Sequence, residues 1–280
     1  MPELPEVETI ARCLHEHTAG KRFADVFVFS PGMLKCEETF FARRLLGAKI
    51  KKVLRRAKLL IFELDSGYYL VFHLKMTGRV LYSRTGDTST EKAHIGFMLE
   101  DGTLLSFLDQ RKFGYCALLS EKELNNWDFY ANLGPEPLKM SEQEFIHIFS
   151  KRKARIKSLL LDQKTIAGIG NIYADEALFA AGIPPDAPAC SLGKKRLAEL
   201  FRCTCNVLQK AIEAGGSTFR DYIDASGNPG RFQEQFTVYG RGGEPCPKCS
   251  TPLKSMKVAG RTSTYCPHCQ CREDTDNERG

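Results

Sequence analysis

A chain of 280 residues with 42% hydrophobic side chains is long enough for two compact domains and a small additional module, and its composition is not that of a disordered protein. No apolar run approaches the length of a membrane span, and the acidic N-terminus lacks the pattern of a signal peptide. The 11 cysteines are an odd number and most are scattered, which argues against a secreted disulfide framework. We therefore expect a soluble intracellular protein.

The formal net charge of +6 is modest, but the basic residues are clustered. Two clusters occupy residues 49–58 and 151–157, and a third basic region spans residues 231–272. A single run of charge usually marks a solvated face, whereas several clusters on one chain are typical of a protein that binds a polyanion. The distribution of charge favours a nucleic-acid partner.

The first predicted element is a helix over residues 3–18. Val7, Ile10, Ala11 and Leu14 recur at helical spacing on one face, and Gly20 follows as a stop signal. This pattern predicts an amphipathic helix at the start of the chain.

The residues before that helix also suggest chemistry. Removal of Met1 would leave Pro2 as a secondary amine, and an α-amino group has a reference pKa near 8, so a useful fraction is neutral and nucleophilic at cellular pH. Glu3 and Glu6 lie one turn apart and could move protons beside that amine. The alternative is that proline and glutamate are here only as ordinary helix-starting residues.

Residues 23–119 alternate as strands do, with Asp65-Ser-Gly67 and Glu100-Asp-Gly102 as hairpin turns. We predict an antiparallel β-sandwich. The segment Gly134-Pro-Glu-Pro137 interrupts the pattern and predicts a domain boundary.

A helical domain is predicted after that boundary. Ser141 and Glu144 have the spacing of a capping box, and helices are expected at residues 141–149, 153–161, 171–181 and 191–214. Residues 217–237 are polar and irregular, as functional loops often are.

The strongest single motif lies near the C-terminus. Two C-x2-C pairs are separated by sixteen residues, a spacing that lets four thiolates surround one Zn²⁺ ion. The four predicted ligands are Cys246, Cys249, Cys266 and Cys269. A thioredoxin-like redox pair is the alternative, but it would need one C-x-x-C on a βαβ unit. Because the protein supplies all four ligands, the predicted zinc is structural, and a catalyst must lie elsewhere.

Between the two cysteine pairs, Ala259-Gly260 reads as a hairpin turn with Arg261 just beyond it. An arginine at a rigid tip suits phosphate contact, whereas a lone turn arginine is more often only solvated.

Taken together, several motifs in one order resemble the bacterial formamidopyrimidine-DNA glycosylases over residues 1 to 271. They are MPELPEVET at the start, Arg55-Arg-Ala-Lys58, His73-Leu-Lys-Met-Thr-Gly78, Asp109-Gln-Arg-Lys-Phe-Gly114, Gly168-Ile-Gly-Asn-Ile-Tyr-Ala-Asp-Glu-Ala-Leu178 and the zinc cysteines. Two positions depart from the expected pattern. Ala57 stands where a glycine is expected, and Thr77 lies where the family varies.

The resemblance implies a bifunctional DNA glycosylase and abasic-site lyase of base excision repair. Such an enzyme extrudes a damaged purine, 8-oxoguanine or a formamidopyrimidine, from double-stranded DNA, cuts its glycosidic bond and nicks the strand by β,δ-elimination. Pro2 would form the Schiff base, with Glu3 and Glu6 as acid–base partners. Lys58 and Arg261 would act at the phosphates of the damaged nucleotide.

The resemblance also implies a set of DNA contacts. Met76, Arg111 and Phe113 would fill the gap left by the extruded base, with Arg111 facing the orphaned cytosine. Asn171, at the entry to a helix, would bind phosphate. DNA contacts are further implied at His94 and Lys153, and a loop over residues 217–223 would cover the lesion.

The resulting fold class is α+β: an N-terminal helix with an antiparallel β-sandwich, a helix-two-turns-helix domain and a C-terminal zinc-finger β-hairpin. The predicted boundaries are residues 1–134, 135–230 with the lesion loop, 231–271 for the zinc finger, and a disordered tail at 272–280. We expect one structural Zn²⁺, a monomer, and a bacterial cytoplasmic location with activity at the nucleoid.

Two other functions fit parts of the pattern. An endonuclease VIII-like glycosylase would prefer oxidised pyrimidines and shares Pro2, Glu3 and the zinc site; Leu4 and the gap-filling residues favour the purine branch. A non-catalytic zinc-finger DNA-binding protein would explain the charge and the cysteines but not the Pro-Glu start.

Overall fold

The computed structural model describes residues 2–84, 93–218 and 225–271. Most of the predicted lesion loop and the predicted tail at 272–280 lie outside these residues. Two compact units are present, Met1–Asn132 with Ala211–Gln233 and Leu133–Lys210 with Glu234–Gly280. The break after Asn132 lies close to the predicted boundary at 134. The described residues at 211–218 and 225–230, which the prediction assigned to the second domain, group with the first unit.

The first unit begins with helix α1, Leu4–Thr18. Glu3 caps the helix in a capping box with Glu6, so backbone N–H groups of the first turn have acceptors. Val7, Ile10 and Leu14 are fully or almost fully buried, as the predicted apolar face requires. The helix predicted over residues 3–18 is confirmed.

Eight strands of the first unit form two antiparallel sheets. One sheet has the order β1-β6-β7-β5, with β1 at Phe23–Val28, β5 at Gly78–Arg84, β6 at Ile95–Leu99 and β7 at Thr103–Asp109. The other has the order β2-β3-β4-β8, with β2 at Ile50–Arg56, β3 at Leu59–Leu64, β4 at Tyr68–His73 and β8 at Tyr115–Ser120.

Aromatic rings from both sheets meet in the core. The ring of Phe72 on β4 lies 5.8 Å from that of Phe97 on β6 and 5.3 Å from that of Phe107 on β7, in edge-on arrangements. Gly67 and Gly102 adopt positive φ in the two predicted hairpin turns. The predicted antiparallel sandwich is therefore confirmed.

Three short helices in the first unit were not predicted. They are α2 at Glu38–Leu45, α3 at Glu121–Asn126 and α4 at Asp128–Ala131. The side chain of Glu37 accepts hydrogen bonds from the N–H groups of Thr39 and Phe40 and so starts α2. This segment lies inside the range that the prediction assigned to strands.

The second unit contains the predicted helices. They are α5 at Glu142–Ser150, α6 at Ile156–Leu161, α7 at Asn171–Ala180 and α8 at Lys194–Glu213. The last three residues of the final one belong to the first unit. The capping box of Ser141 and Glu144 is present. Among the residues the structure describes, no helix combines the length and apolar character needed to cross a bilayer.

The second unit also contains a β-hairpin, β9 at Lys254–Val258 and β10 at Arg261–Tyr265. Ala259 and Gly260 both have positive φ, 49° and 71°. A two-residue turn with positive φ at both positions matches the twist of antiparallel strands. This is the hairpin turn that the sequence predicts.

Candidate active site and nucleic-acid contacts

Pro2 lies in extended chain directly before α1, and it is buried together with Glu3 and Glu6. The Glu3 carboxylate accepts the Glu6 backbone N–H, and the Glu3 N–H donates to Glu6 Oε2 at 2.8 Å. The capping box thus holds one carboxylate immediately beside Pro2. Burial also makes both charges strong local electrostatic features.

Glu6 has a second partner from a distant part of the chain. Its Oε1 atom accepts the backbone N–H of Ser217 at 2.8 Å and the Ser217 hydroxyl at 3.0 Å. Both carboxylate oxygens of Glu6 are therefore occupied, one by the helix start and one by the residue that opens the predicted lesion loop. The geometry suits a carboxylate that positions its neighbours more than one that moves a proton.

Lys58 lies in the tight turn between β2 and β3 and is 6% exposed. Ala57, the other residue of this turn, has a φ of 52°, which favours glycine. This explains why a glycine is expected at this position, and it shows that alanine adopts the same backbone. Lys58 is therefore a buried lysine and not a solvated surface cation.

Arg55 connects this turn to α1. Its guanidinium donates to Glu8 Oε2 at 2.8 Å and to the carbonyl oxygen of Ala57 at 3.1 Å, and its side chain is 4% exposed. The basic cluster at residues 49–58 is therefore not one solvated surface. Lys49, Lys51 and Lys52 are exposed, whereas Arg55 and Lys58 face inward.

The predicted gap-filling residues lie in two turns. Met76 lies half-buried between β4 and β5, and Arg111 and Phe113 are exposed between β7 and β8. The Arg111 guanidinium carbon is 4.7 Å from the centre of the Phe113 ring. Phe113 is 57% exposed, one of four large hydrophobic side chains in this state among the residues described. An exposed aromatic of this kind is available to stack on a base.

Two histidines flank these turns. Both ring nitrogens of His94 have protein partners: Nδ1 lies 2.9 Å from Ser30 Oγ, and Nε2 lies 3.0 Å from the Asp109 carbonyl oxygen. His73 was not predicted as a site residue; its Nδ1 accepts the N–H of Lys75 at 3.1 Å. Burial, with the nearby Lys75 and Lys58 charges, lowers the pKa of His73 to about 3. Its imidazole is therefore neutral.

In the second unit, Asn171 is the first residue of α7, and its Nδ2 donates to the Thr262 carbonyl oxygen at 3.1 Å. Arg261 precedes Thr262 and is exposed at the start of β10. The contact joins the N-terminus of α7 to the strand that carries Arg261. Lys153 is also exposed, in the segment before α6.

The structure separates Lys157 from the basic cluster in which the sequence placed it. Lys157 is fully buried, and its Nζ donates to Asp175 Oδ1 at 2.7 Å and to Ser263 Oγ at 2.6 Å. Asp175 Oδ2 accepts the N–H of Thr264 at 3.1 Å. Burial raises the pKa of Asp175 to about 6, against the opposing effect of Lys157. This ion pair attaches β10 to α6 and α7.

The four predicted zinc ligands converge. The Sγ atoms of Cys246, Cys249, Cys266 and Cys269 all lie within 4.8 Å of one another. Four thiol sulfurs at that spacing fit a tetrahedral Zn²⁺ ion with no open coordination position. The backbone N–H groups of Lys248 and Cys269 donate to the sulfurs of Cys246 and Cys266, as is common around metal-bound thiolates. The chain thus has one structural zinc site.

The fold and the cysteine cluster define a class: a β-sandwich with a leading helix, a helical module and a zinc finger. Three family models match the chain in this order. They are the formamidopyrimidine-DNA glycosylase N-terminal domain at residues 1–116, the H2TH domain of the same glycosylase at 133–222, and the zinc finger found in FPG and IleRS at 243–271. The chain belongs to the formamidopyrimidine-DNA glycosylase family.

Similar proteins and solved structures agree with this family assignment. A formamidopyrimidine-DNA glycosylase of Desulfitobacterium hafniense is 44% identical over 96% of this chain and 100% of its own length, and that of Enterococcus faecalis is 42% identical over 96% and 97%. A Lactococcus lactis FPG mutant bound to Fapy-dG-containing DNA superposes with a TM-score of 0.89 at 34% identity, over 97% of this chain and 100% of that one. Wild-type L. lactis Fpg has also been solved with DNA containing an oxidised pyrimidine (TM-score 0.88, 34% identity, the same coverage).

Proposed function

We propose that this chain is a bifunctional DNA glycosylase and abasic-site lyase that removes oxidised purines, 8-oxoguanine and formamidopyrimidines, from double-stranded DNA. The observation that carries the proposal is the buried start of α1, where Pro2 precedes a carboxylate fixed by a capping box, in a chain of this family.

The proposed chemistry requires that Met1 is removed. The Pro2 nitrogen then forms a bond to C1′ of the extruded nucleotide while the bond from C1′ to the base breaks, and the electron pair leaves with the base, which takes up a proton. The amine loses its proton, and the product is an aminal in which the sugar ring is still closed. The C1′–O4′ bond then breaks, O4′ takes up a proton, and the nitrogen lone pair forms the iminium ion with C1′. Loss of a proton from C2′ expels the 3′ phosphate, and a second elimination expels the 5′ phosphate, which completes strand cleavage.

We assign these proton transfers to Glu3, because its carboxylate is adjacent to Pro2 and buried. Glu6 acts through position: its two oxygens hold the Glu3 N–H and Ser217. The sequence led us to expect that both glutamates are acid–base partners. We now propose that role for Glu3 alone.

The remaining roles concern the DNA. Lys58, Arg261, Asn171 and Lys153 contact phosphates, which fixes the position of the duplex without reading its sequence. Met76, Arg111 and Phe113 occupy the gap left by the extruded base. For His94 we propose a supporting role, because its two ring nitrogens already have partners in Ser30 and Asp109.

The zinc ion, held by Cys246, Cys249, Cys266 and Cys269, supplies structural support to the hairpin that presents Arg261. We further propose that the protein works as a monomer in the bacterial cytoplasm, on the DNA of the nucleoid.

A trapping experiment tests the proposal. Duplexes carrying 8-oxoguanine opposite cytosine, or thymine glycol opposite adenine, are incubated with the protein and borohydride, which reduces the iminium to a stable adduct. We expect an adduct with the first duplex in clear excess over the second. Preference for thymine glycol would favour an endonuclease VIII-like activity. No adduct with either duplex would leave a DNA-binding protein without catalysis.

A companion variant identifies the nucleophile. This variant carries one extra residue before Pro2, chosen so that it is not removed from the protein. The variant should lose trapping and keep its binding to abasic-site DNA. Mass spectrometry of the untreated protein should find that Met1 is absent. Trapping by the extended protein would assign the nucleophile to a lysine.

A further inference from the structure

The two turns that carry the gap-filling residues lie side by side. The first, residues 74–77, carries Met76, and the Gly78 N–H donates to the Leu74 carbonyl oxygen at 2.9 Å across it. The second, residues 110–113, carries Arg111 and Phe113. Strands β5 and β7 pair so that Gly78 lies opposite Asp109, which places the end of the first turn against the start of the second.

Asp109 organises the second turn. It is 1% exposed, and its Oδ2 accepts the N–H of Gly114 at 2.6 Å while its Oδ1 accepts the N–H of Arg111 at 3.2 Å. Its backbone carbonyl oxygen accepts the N–H of Lys112 at 3.0 Å. A buried carboxylate that accepts several backbone N–H groups fixes the loop around it.

Thr77 joins the two turns through its hydroxyl. Thr77 Oγ1 donates to Asp109 Oδ1, and the same oxygen accepts the N–H of Arg111 at 3.2 Å. One side chain of the first turn therefore uses its hydroxyl both to donate to and to accept from the second turn. Thr77 directly follows Met76 in the first turn. The residue that donates a hydrogen bond to Thr77 is Arg111, in the second turn.

The backbone around this contact leaves little space for adjustment. A Cβ at Gly78 would collide with the Leu74 carbonyl oxygen, and one at Gly114 would lie 3.0 Å from the His73 carbonyl oxygen and 3.1 Å from Asp109 Oδ2. Lys75 and Lys112 both have positive φ, 51° and 55°. Each turn thus contains a backbone conformation that residues other than glycine rarely adopt, and a local constraint must maintain it.

We propose that the Thr77–Asp109 hydrogen bond locks the two turns into one unit, so that Met76, Arg111 and Phe113 enter the DNA stack together, and that Thr77 is a positioning residue for extrusion of the damaged base. The inference rests on the proposed function. Phe113 is largely exposed, so its own packing does not hold it in place. The turn must therefore fix the direction of the Phe113 side chain before DNA binds. A mobile side chain would have to become ordered during insertion, which costs free energy.

The test compares Thr77→Val, which removes the hydroxyl at similar volume, with Thr77→Ser, which keeps it. Single-turnover excision is measured on a duplex with 8-oxoguanine opposite cytosine, and borohydride trapping is measured on a single-stranded abasic oligonucleotide, which has no gap to fill. We expect T77V to slow duplex excision about tenfold, the effect of one hydrogen bond to a charged group. Trapping on the single strand should stay near that of the unmodified protein, and T77S should match the unmodified protein in both assays.

Two results would overturn the inference. If T77V and T77S excise equally fast, the hydroxyl has no role. If T77V loses duplex excision and single-strand trapping to the same extent, Thr77 is merely structural. An unmodified protein that excises nothing from the duplex would instead contradict the proposed function, and the inference with it.

A double variant gives an independent measurement. If Thr77 acts by directing the gap-filling residues, then T77V should slow excision by a smaller factor in Phe113→Ala than in the unmodified protein, because one of the residues it directs is gone. Defects that multiply in T77V/F113A would overturn the coupling.

Discussion

The guanidinium of Arg55 lies 2.8 Å from the carboxylate of Glu8, which joins the second strand of the sandwich to the helix that begins after Pro2. Their side chains are 4% and 21% exposed, so the pair is shielded more than a surface ion pair. Burial acts to raise the pKa of the Glu8 carboxyl group, but the hydrogen bonds and charges of Arg55 and Arg12 outweigh it, so the pKa lies below the ordinary value. This ion pair connects the proposed nucleophile to the turn that holds Lys58.

Replacing Arg55 by glutamine should therefore disturb both stability and chemistry. We expect Arg55→Gln to lower the free energy of unfolding by about 2 kcal/mol, because a buried charge-assisted hydrogen bond is lost. Trapping on abasic DNA should slow as well, since the Ala57 carbonyl oxygen loses its donor beside Lys58. Urea denaturation and trapping rates measure the two effects. Lys52→Gln, which removes an exposed cation from the same strand, is the matched control and should leave both unchanged.

The contact between Glu6 and Ser217 gives a second prediction. Glu6→Gln places an amide NH₂ group among N–H donors, so we expect a loss of about 2 kcal/mol in unfolding free energy and a strong reduction of excision. Ser217→Ala removes only the hydroxyl and keeps the backbone N–H, so its cost should be about 1 kcal/mol. If the two variants lost equal unfolding free energy, the expected order would be wrong. That order assumes that the backbone N–H of Ser217 still matters when its hydroxyl is gone.

Local sequence signals predicted much of this fold. The amphipathic face of α1, the capping box at Ser141, the hairpin turn at Ala259-Gly260 and the four zinc ligands each depend on residues close together in the chain. Such patterns constrain backbone conformation or metal geometry directly. The short helix α2 was missed because it has only 8 residues, too few for apolar positions to repeat clearly at helical spacing.

Contacts between distant residues could not be predicted in this way. Ser217 binds Glu6 across 211 positions, and Ser263 binds Lys157 across 106. Lys157 sits in a run of cations and reads as a DNA contact, because a sequence does not show that Asp175 is buried beside it. The same limit applies to Thr77 and Asp109, which meet only because their strands pair.

His73 should make stability depend on pH. Its pKa is about 3 in the folded chain and about 6.5 in an unfolded one. As the pH falls below that unfolded value, the unfolded state takes up a proton that the folded state does not, so the free energy of unfolding falls. Between about pH 7 and about pH 5 we expect a loss of about 2 kcal/mol from this residue.

The variant His73→Asn isolates this effect, because an asparagine oxygen can still accept the Lys75 N–H but does not titrate in this range. Urea denaturation of both proteins at the two pH values cancels the contribution of all other groups. The unmodified protein should lose more stability on acidification than H73N. Parallel losses in the two proteins would show that His73 is protonated in the folded state.

The buried pair of Lys157 and Asp175 should be costly to break. Lys157→Met leaves the Asp175 carboxylate buried without its cation, and we expect at least about 3 kcal/mol of lost stability. Combining Lys157→Met with Asp175→Leu removes both charges and should recover part of that loss, because no unpaired charge remains. Thermal unfolding of the single and double variants measures the difference. A double variant less stable than K157M would contradict the ion-pair explanation.

Zinc removal should act on DNA binding through Arg261. Without the metal, the hairpin loses the four thiolate bonds that support it, and we expect affinity for an abasic-site duplex to fall about tenfold or more. Arg261→Ala with zinc retained should also weaken binding, and the slope of log K against log salt should decrease by about 0.9, the value for one phosphate contact. Fluorescence anisotropy over a salt series measures both. Because chelation and R261A remove the same contact, chelating the zinc from R261A should add less than it does to the unmodified protein. A full additional loss would mean that the zinc finger supports DNA binding by a route other than Arg261.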